Sequence, residues 1–261
     1  MNRVMYYCPN ILGDQSVDLT PPPQGGRGVL PEEESAHAVQ VLRAKVGDAV
    51  DVTDGRGHLL HCVVTNPHRK HCEVQIQSIE TPAPLHAGYV HIVLAPTKNI
   101  ERTEWFLEKA TEIGVDEITL VLCDHSERKV VNIERLQKIV VAAAKQSLRT
   151  TYPVLNDLTP FKEVVRSKNL TPSLEGRVGE RLFIAHCEEG YAATENKRAL
   201  RDWLEHGDRV MVLIGPEGDF SPAEIQSALA AGFLPVSLGN GRLRTETAGV
   251  VACHTAVLVN E

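Results

Sequence analysis

No stretch of this 261-residue sequence approaches the run of about eighteen apolar residues that a membrane-spanning helix needs. Its opening, Met1-Asn2-Arg3-Val4-Met5-Tyr6-Tyr7, has no apolar core of the kind that marks a secretory signal. A soluble, cytoplasmic protein is expected. Zinc-type spacing is missing too. Cys8, Cys62, Cys72, Cys123, Cys187 and Cys253 lie far apart without a C-x-x-C pair, which suits neither a structural metal nor a disulfide framework in a chain of this size. The pairs His61-Cys62 and His71-Cys72 recur around an expected hairpin, but strand neighbours face opposite ways, so each pair offers one ligand to any single metal. No metal is expected. Excess positive charge is also absent: 27 Lys and Arg against 34 Asp and Glu give a formal net charge of −7. Any nucleic-acid contact must therefore be local. The sequence has no G-K-[ST] loop, Gly239-Asn240-Gly241 lacks the third glycine of a G-x-G-x-x-G turn, and Gly55-Arg56-Gly57 falls in a hairpin. Ordinary Rossmann and P-loop nucleotide sites are thereby excluded.

What is present suffices for one large core or two smaller ones, with 43% hydrophobic residues. The pattern breaks at Thr81-Pro82-Ala83-Pro84, where each proline disfavours helix in the residue before it. Residues 1–81 read mostly as strand: Ala49 to Thr53, a turn at Asp54-Gly55, Leu59 to Val64 and Cys72 to Ile79 form a hairpin series that fits a small barrel. One helix, about Glu32 to Leu42, precedes them with Ala36, Val39 and Leu42 on one face. Over 88–261 strands and helices alternate. Val90 to Ala95 is a strand, Arg102 to Ile113 a helix stopped by Gly114, Ile118 to Leu122 a strand, and Ile133 to Ser147 a helix. After a long connection, Arg181 to His186 reads as strand and Ala199 to Leu204 as part of a helix. Such alternation predicts a mainly parallel sheet covered by helices.

Two glycine-rich turns carry the functional signal. Gly215-Pro216-Glu217-Gly218 follows the apolar strand Val210 to Ile214 and opens a helix with Ser221 as cap, Pro222 at its first position and Glu224 completing a capping box, ended by Ala231-Gly232. Leu238-Gly239-Asn240-Gly241 follows Phe233 to Leu238 and leads through Arg242-Leu243-Arg244-Thr245-Glu246-Thr247-Ala248 into an apolar helix reaching about Val259, with Thr245 or Thr247 as the expected cap. Glycine at strand ends lets main-chain groups approach a ligand closely. Local positive groups are Arg3, Arg27, Arg43, Lys45, Arg69 and Lys70, then Lys98, Arg102, Arg128, Lys129, Arg149, Arg242 and Arg244.

The pairing of Ile214-Gly215-Pro216-Glu217-Gly218 with Leu238-Gly239 and Leu243-Arg244-Thr245-Glu246-Thr247-Ala248 resembles the 16S ribosomal RNA uridine-N3 methyltransferase family of the SPOUT superfamily. Lys109-Ala110-Thr111-Glu112-Ile113-Gly114-Val115, Ala144 to Arg149 and His37 to Arg43 are similar to further segments of that family. Lys145 stands where the family often has Glu, and Asp219 where it often has a second glycine; both read as variation. The resemblance implies an α/β SPOUT domain with a carboxyl-terminal trefoil knot, preceded by a PUA-like RNA-binding barrel. It implies S-adenosylmethionine as cofactor, 16S ribosomal RNA or the small ribosomal subunit as partner, and a homodimer in which Val250, Val251, Val257 and Leu258 of the last helix are interface candidates. By position, Ile214, Gly215, Pro216, Glu217, Gly218, Leu238, Gly239, Leu243, Arg244, Thr245, Glu246 and Ala248 would form the cofactor pocket. Arg3, His37, Arg43, Lys98, Arg128 and Arg149 would meet RNA. Arg244 suits the stabilisation of a uracil anion, and Glu217 and Glu246 either face the sulfonium or cap helices; together Arg244 and Glu246 are the catalytic candidates. No residue is singled out as base. A non-catalytic ribosome-assembly factor and a 2′-O-ribose methyltransferase of the same fold remain as alternatives.

Overall fold

The computed structural model describes residues 4–13, 26–166, 180–187 and 197–261, so Arg3 lies outside the described residues. It separates into two compact units, Met1–Pro84 with Val141–Tyr152, and Leu85–Val140 with Pro153–Glu261.

In the first unit β1 (Met5–Tyr7), β2 (Arg27–Val29), β3 (Ala49–Thr53), β4 (Leu59–Asn66) and β5 (Glu73–Glu80) form one sheet in the order β1-β3-β4-β5-β2. Three of the five were expected; β1 and β2, at three residues each, are too short to show a period. Leu60, Cys62 and Val64 alternate inward along β4 and meet Tyr6, Leu30, Val52 and Val74. The expected helix is α1 (Glu32–Ala36) continued by a π-helical turn, His37–Val41. That wider turn, in which Leu42 N donates to His37 O, rotates the buried face onto Ser35 and Ala38 and leaves Leu42 43% exposed, correcting the stripe read from periodicity. The segment Val141–Tyr152 completes this unit. Lys145 pairs with the buried Glu34, Tyr152 stacks on Tyr7 with centroids 4.7 Å apart, and Gly57 N donates to Thr150 O at 2.9 Å.

His61 of β4 bridges its neighbours, with Nδ1 2.7 Å from Asp51 and Nε2 3.2 Å from Glu80. The Asp51 hydrogen bond raises its pKa above the ordinary 6.5 against a smaller desolvation effect. A raised value in the folded state means the contribution is complete below the unfolded pKa and is lost as pH rises through the folded one. The urea midpoint should therefore fall between about pH 6 and 8 more steeply in the wild type than in His61→Asn; equal slopes would remove His61 from the account.

The second unit holds a seven-stranded sheet, ordered β10-β12-β9-β11-β6-β7-β8, in which every pairing is parallel. Its strands are β6 (Tyr89–Leu94), β7 (Glu117–Leu122), β8 (Val154–Pro160), β9 (Glu180–Ala185), β10 (Arg198–Ala199), β11 (Arg209–Ile214) and β12 (Leu234–Ser237). Its helices are α2 (Ile100–Ile113), α3 (Ile133–Gln146, whose last residues group with the first unit), α4 (Phe161–Arg166), α5 (Pro222–Ala230) and α6 (Thr245–Asn260). The central strands β6, β7 and β11 alternate between two buried faces. Val90, Ile92 and Leu94 pack with Phe106, Leu136, Ala252 and Ala256, whereas Val93, Val121 and Leu213 pack with Phe161, Ile225 and Phe233. Burial on both faces is why these strands read as continuous apolar runs. Ala199 to Leu204 is not helical as expected: Ala199 pairs with Ser237 of β12, and only a single 3-10 turn, Leu200–Asp202, follows. No helix among the described residues is long and apolar enough to cross a membrane.

Candidate cofactor site and nucleic-acid face

The carboxyl ends of β6, β9, β11 and β12 are where the second unit's glycine turns sit, the end at which open parallel sheets take ligands. The first turn departs from Ile214, whose O accepts Ala95 N at 3.0 Å and so fixes the exits of β11 and β6 together. A Cβ on Gly215 would stand 3.0 Å from the Phe220 ring, and one on Gly218 3.1 Å from His125 Cβ. His125 Nδ1 lies 3.1 Å from both Gly218 O and Asp219 O, a contact no sequence signal announced. Asp219 adopts φ 62°, the left-handed region that favours glycine, so the backbone does need there what the family's glycine supplies. Aspartate meets the need because its short carboxylate bonds locally, Oδ1 accepting Phe220 N at 2.8 Å, while Oδ2 accepts Cys187 N at 2.7 Å from a segment distant in sequence. Beside it Lys197 donates to His186 O, and burial pulls its pKa down against the opposing effects of Cys187 and Asp219. The capping box of α5 is present as expected, with Ser221 Oγ also 2.6 Å from Asp124 Oδ2.

The second turn is open. Gly239 has φ 133°, and a Cβ on Gly239 or Gly241 would meet no heavy atom within 4 Å. Leu238 and Leu243 are half-buried on either side. Neither Thr245 nor Thr247 caps α6. Arg244 holds the N-cap position in extended backbone without a side-chain capping bond, and its side chain is exposed. Thr245 and Glu246 follow, each 7% exposed, while Ala248 N donates to Arg244 O at 2.8 Å. Glu246 Oε1 is 3.8 Å from Arg102 Nε, and its buried Oε2 has no hydrogen-bond partner among the described residues. A carboxylate oxygen withdrawn from water and left unmatched is costly, and its place at the head of the helix beside an open turn marks a position for a donor or a cation.

Glu217 is exposed, its Oε1 accepting Lys98 N at 2.9 Å. Of the expected RNA-contacting residues, His37 is half-buried, Arg43 exposed at φ 56°, and Lys98 exposed. Arg149 is largely buried, at 6% exposed. Arg128 Nε and Nη2 donate to Thr97 O and Lys98 O at 3.0 and 2.6 Å.

The second unit is thus an all-parallel α/β unit with two glycine turns at one end of its sheet, and a small β unit precedes it. A family model described as an RNA methyltransferase domain matches residues 84–257, and one described as an RNA methyltransferase PUA domain matches 30–77. The ribosomal RNA small subunit methyltransferase E of Mycobacterium bovis is 30% identical over 244 residues, 89% of this chain and 87% of the relative. A crystal structure from Porphyromonas gingivalis, described as a probable rRNA-methyltransferase, is 39% identical with a TM-score of 0.81 and coverage of 98% of both chains. That of a ribosomal RNA small subunit methyltransferase E from Neisseria gonorrhoeae, bound to S-adenosyl methionine, is 25% identical with a TM-score of 0.75, covering 96% of this chain and 95% of that one. The chain belongs to the ribosomal RNA small subunit methyltransferase E family. Its fold is accordingly a SPOUT α/β unit with a PUA-like amino-terminal unit.

Proposed function

We propose that this protein is a cytoplasmic S-adenosylmethionine-dependent methyltransferase that methylates N3 of a uridine in 16S ribosomal RNA, with residues 1–81 as its RNA-binding barrel and 88–261 as its catalytic domain. The observation that carries the reading is the buried Glu246 carboxylate, whose Oε2 lacks a partner among the described residues, at the start of the helix that follows the open Gly239 turn, a place suited to a cationic ligand held by main chain. Family membership and the cofactor bound in the gonococcal relative support it.

The residues fit the cofactor. Main-chain groups of Gly215, Gly218 and Gly239 would meet its adenine edge, Leu238 and Leu243 its faces, and Glu246 its positive charge. S-adenosylmethionine, when bound, supplies an electrophilic methyl group. The chain's own part is to hold uracil N3 in line and to stabilise the anion left when N3–H is lost, whose charge spreads over the two carbonyl oxygens. Arg244, exposed at the head of α6, is the donor assigned to those oxygens. A cysteine nucleophile has no role, because attack through nitrogen needs no covalent intermediate. Burial agrees, pushing the Cys62 thiol up to about 12 and Cys123 higher still.

We further infer a threaded carboxyl terminus and a homodimer. From central β11 the chain runs to β12 beyond β9, then returns as α6 to pack on β6 and β11, a path that suits a knot. Leu258 on α6 is 57% exposed and Trp105 on α2 44%, apolar surface that suits an interface; Val257, at 2%, belongs to the core instead. Leu258→Glu should convert a dimer, near twice 28.7 kDa by light scattering, into monomer; an unchanged mass would place the interface elsewhere.

The test of function is nucleoside mass spectrometry of small-subunit RNA from a strain lacking the protein, before and after incubation of the subunits with protein and S-adenosylmethionine. Absent and then restored 3-methyluridine supports the proposal. Its presence without the protein refutes the substrate.

A further inference from the structure

The loop that leaves β6 is held from three directions. Thr97 N donates to Thr103 Oγ1 at 3.0 Å, and Thr97 O accepts Arg128 Nε at 3.0 Å. Lys98 N donates to Glu217 Oε1 at 2.9 Å, and Lys98 O accepts Arg128 Nη2 at 2.6 Å. Thr97 Oγ1 reaches Asn99 O at 2.7 Å, and Asn99 caps α2 through Glu101 N at 3.2 Å. Every main-chain polar group of two consecutive residues is thus engaged, by side chains from the segment after β7, from the glycine turn after β11 and from α2. Arg128 spends its planar fork on two successive carbonyls, a geometry a lysine cannot reproduce.

One group of the loop is left pointing out. The Lys98 side chain is 73% exposed, and its partner Glu127, 2.7 Å away, is 54% exposed. Such a surface pair contributes little, so a phosphate can take the ammonium from it at small cost. In a chain of net charge −7, a lysine whose backbone is this tightly fixed is a directed local cation rather than part of a basic field.

We propose that Arg128 and Glu217 are positioning residues that fix the Thr97–Lys98 loop so that the Lys98 ammonium meets a phosphate of the RNA strand beside the first glycine turn. This rests on the reading of RNA as the substrate. It also gives Glu217 a task other than balancing the cofactor's charge: it ties the turn assigned to the cofactor to the loop that meets the RNA, so the two ligands are registered against one another.

The experiment uses the full-length protein, isolated small subunits and S-adenosylmethionine, with steady-state kinetics, RNA affinity and amide exchange of the 96–99 segment as readouts. Arg128→Ala and Lys98→Ala should each raise KM for the subunits about tenfold and change kcat less than about twofold. The double variant should be no worse than Arg128→Ala alone, because a misplaced lysine has nothing further to lose. Glu217→Ala should raise the exchange rate of the Lys98 amide about tenfold or more and weaken RNA binding, and Glu217→Gln, which keeps an acceptor oxygen, should restore most of both. Arg128→Lys should restore neither. Additive losses in the double variant, or a glutamine as damaging as alanine at 217, would overturn the proposal. A wild-type protein that binds the RNA with this pattern but transfers no methyl group refutes the activity and leaves the clamp standing.

Discussion

Arg244→Ala should lower kcat for methyl transfer by about 10² to 10³, the usual cost of removing one donor aimed at developing negative charge. KM for S-adenosylmethionine should move far less, because the Arg244 side chain is exposed and makes no capping bond to α6, leaving the cofactor-facing main chain in place. Folding should be nearly unaffected for the same reason. Glu246→Gln gives the complementary pattern. Removing the charge beside Arg102, 3.8 Å away, should raise KM for the cofactor more than it lowers kcat. An Arg244→Ala enzyme with wild-type kcat would show that the anion is stabilised elsewhere, and the assignment of Arg244 would have to be abandoned.

The second large effect is on stability. Gly249 lies inside α6, where alanine normally gains about 1 kcal/mol over glycine. Here a Cβ would stand 2.6 Å from Leu94 Cδ1 and 2.6 Å from Phe106 Cε2, side chains that are both fully buried. Overpacking of a closed core costs about 1–3 kcal/mol, occasionally more, and two such overlaps put this site at the upper end, so the clash outweighs the propensity gain. Gly249→Ala should destabilise by roughly 2 kcal/mol and lower Tm by about 5 °C, read by calorimetry. The displaced Leu94 immediately precedes the clamped loop, so KM for RNA should rise as well. A Tm equal to or above that of the wild type would mean the core yields more easily than its packing indicates.

The helix starts and stops were legible because their signals are local. Ser221, Pro222 and Glu224 declare a helix start by chemistry that acts within one turn, and Gly114 and Gly232 declare stops. What was missed depends on distant partners. The strand β8 hides because Asn156 breaks its apolar run, and that asparagine serves Glu117 and Thr119 of the neighbouring strand at 2.6 and 2.9 Å. Apolar residues at 199, 200, 203 and 204 mimic a helical stripe, but pairing with β12 decides the backbone. Charge is the least readable property of all. Lys98, Arg128 and Arg149 look equivalent as letters, yet one is exposed, one grips carbonyls and one is buried.

The first unit is not finished where its barrel strands end. Glu34 is buried and finds its ammonium partner only at Lys145, Tyr7 finds its stacking partner at Tyr152, and Gly57 its carbonyl at Thr150. Domains commonly fold in order as they leave the ribosome, but the native contacts of this one are complete only once the chain has been extended through residue 152. A fragment cut at the proline break would therefore hold Glu34 without Lys145 and Tyr7 without Tyr152, so the proline break in the sequence is not where this unit's set of contacts closes.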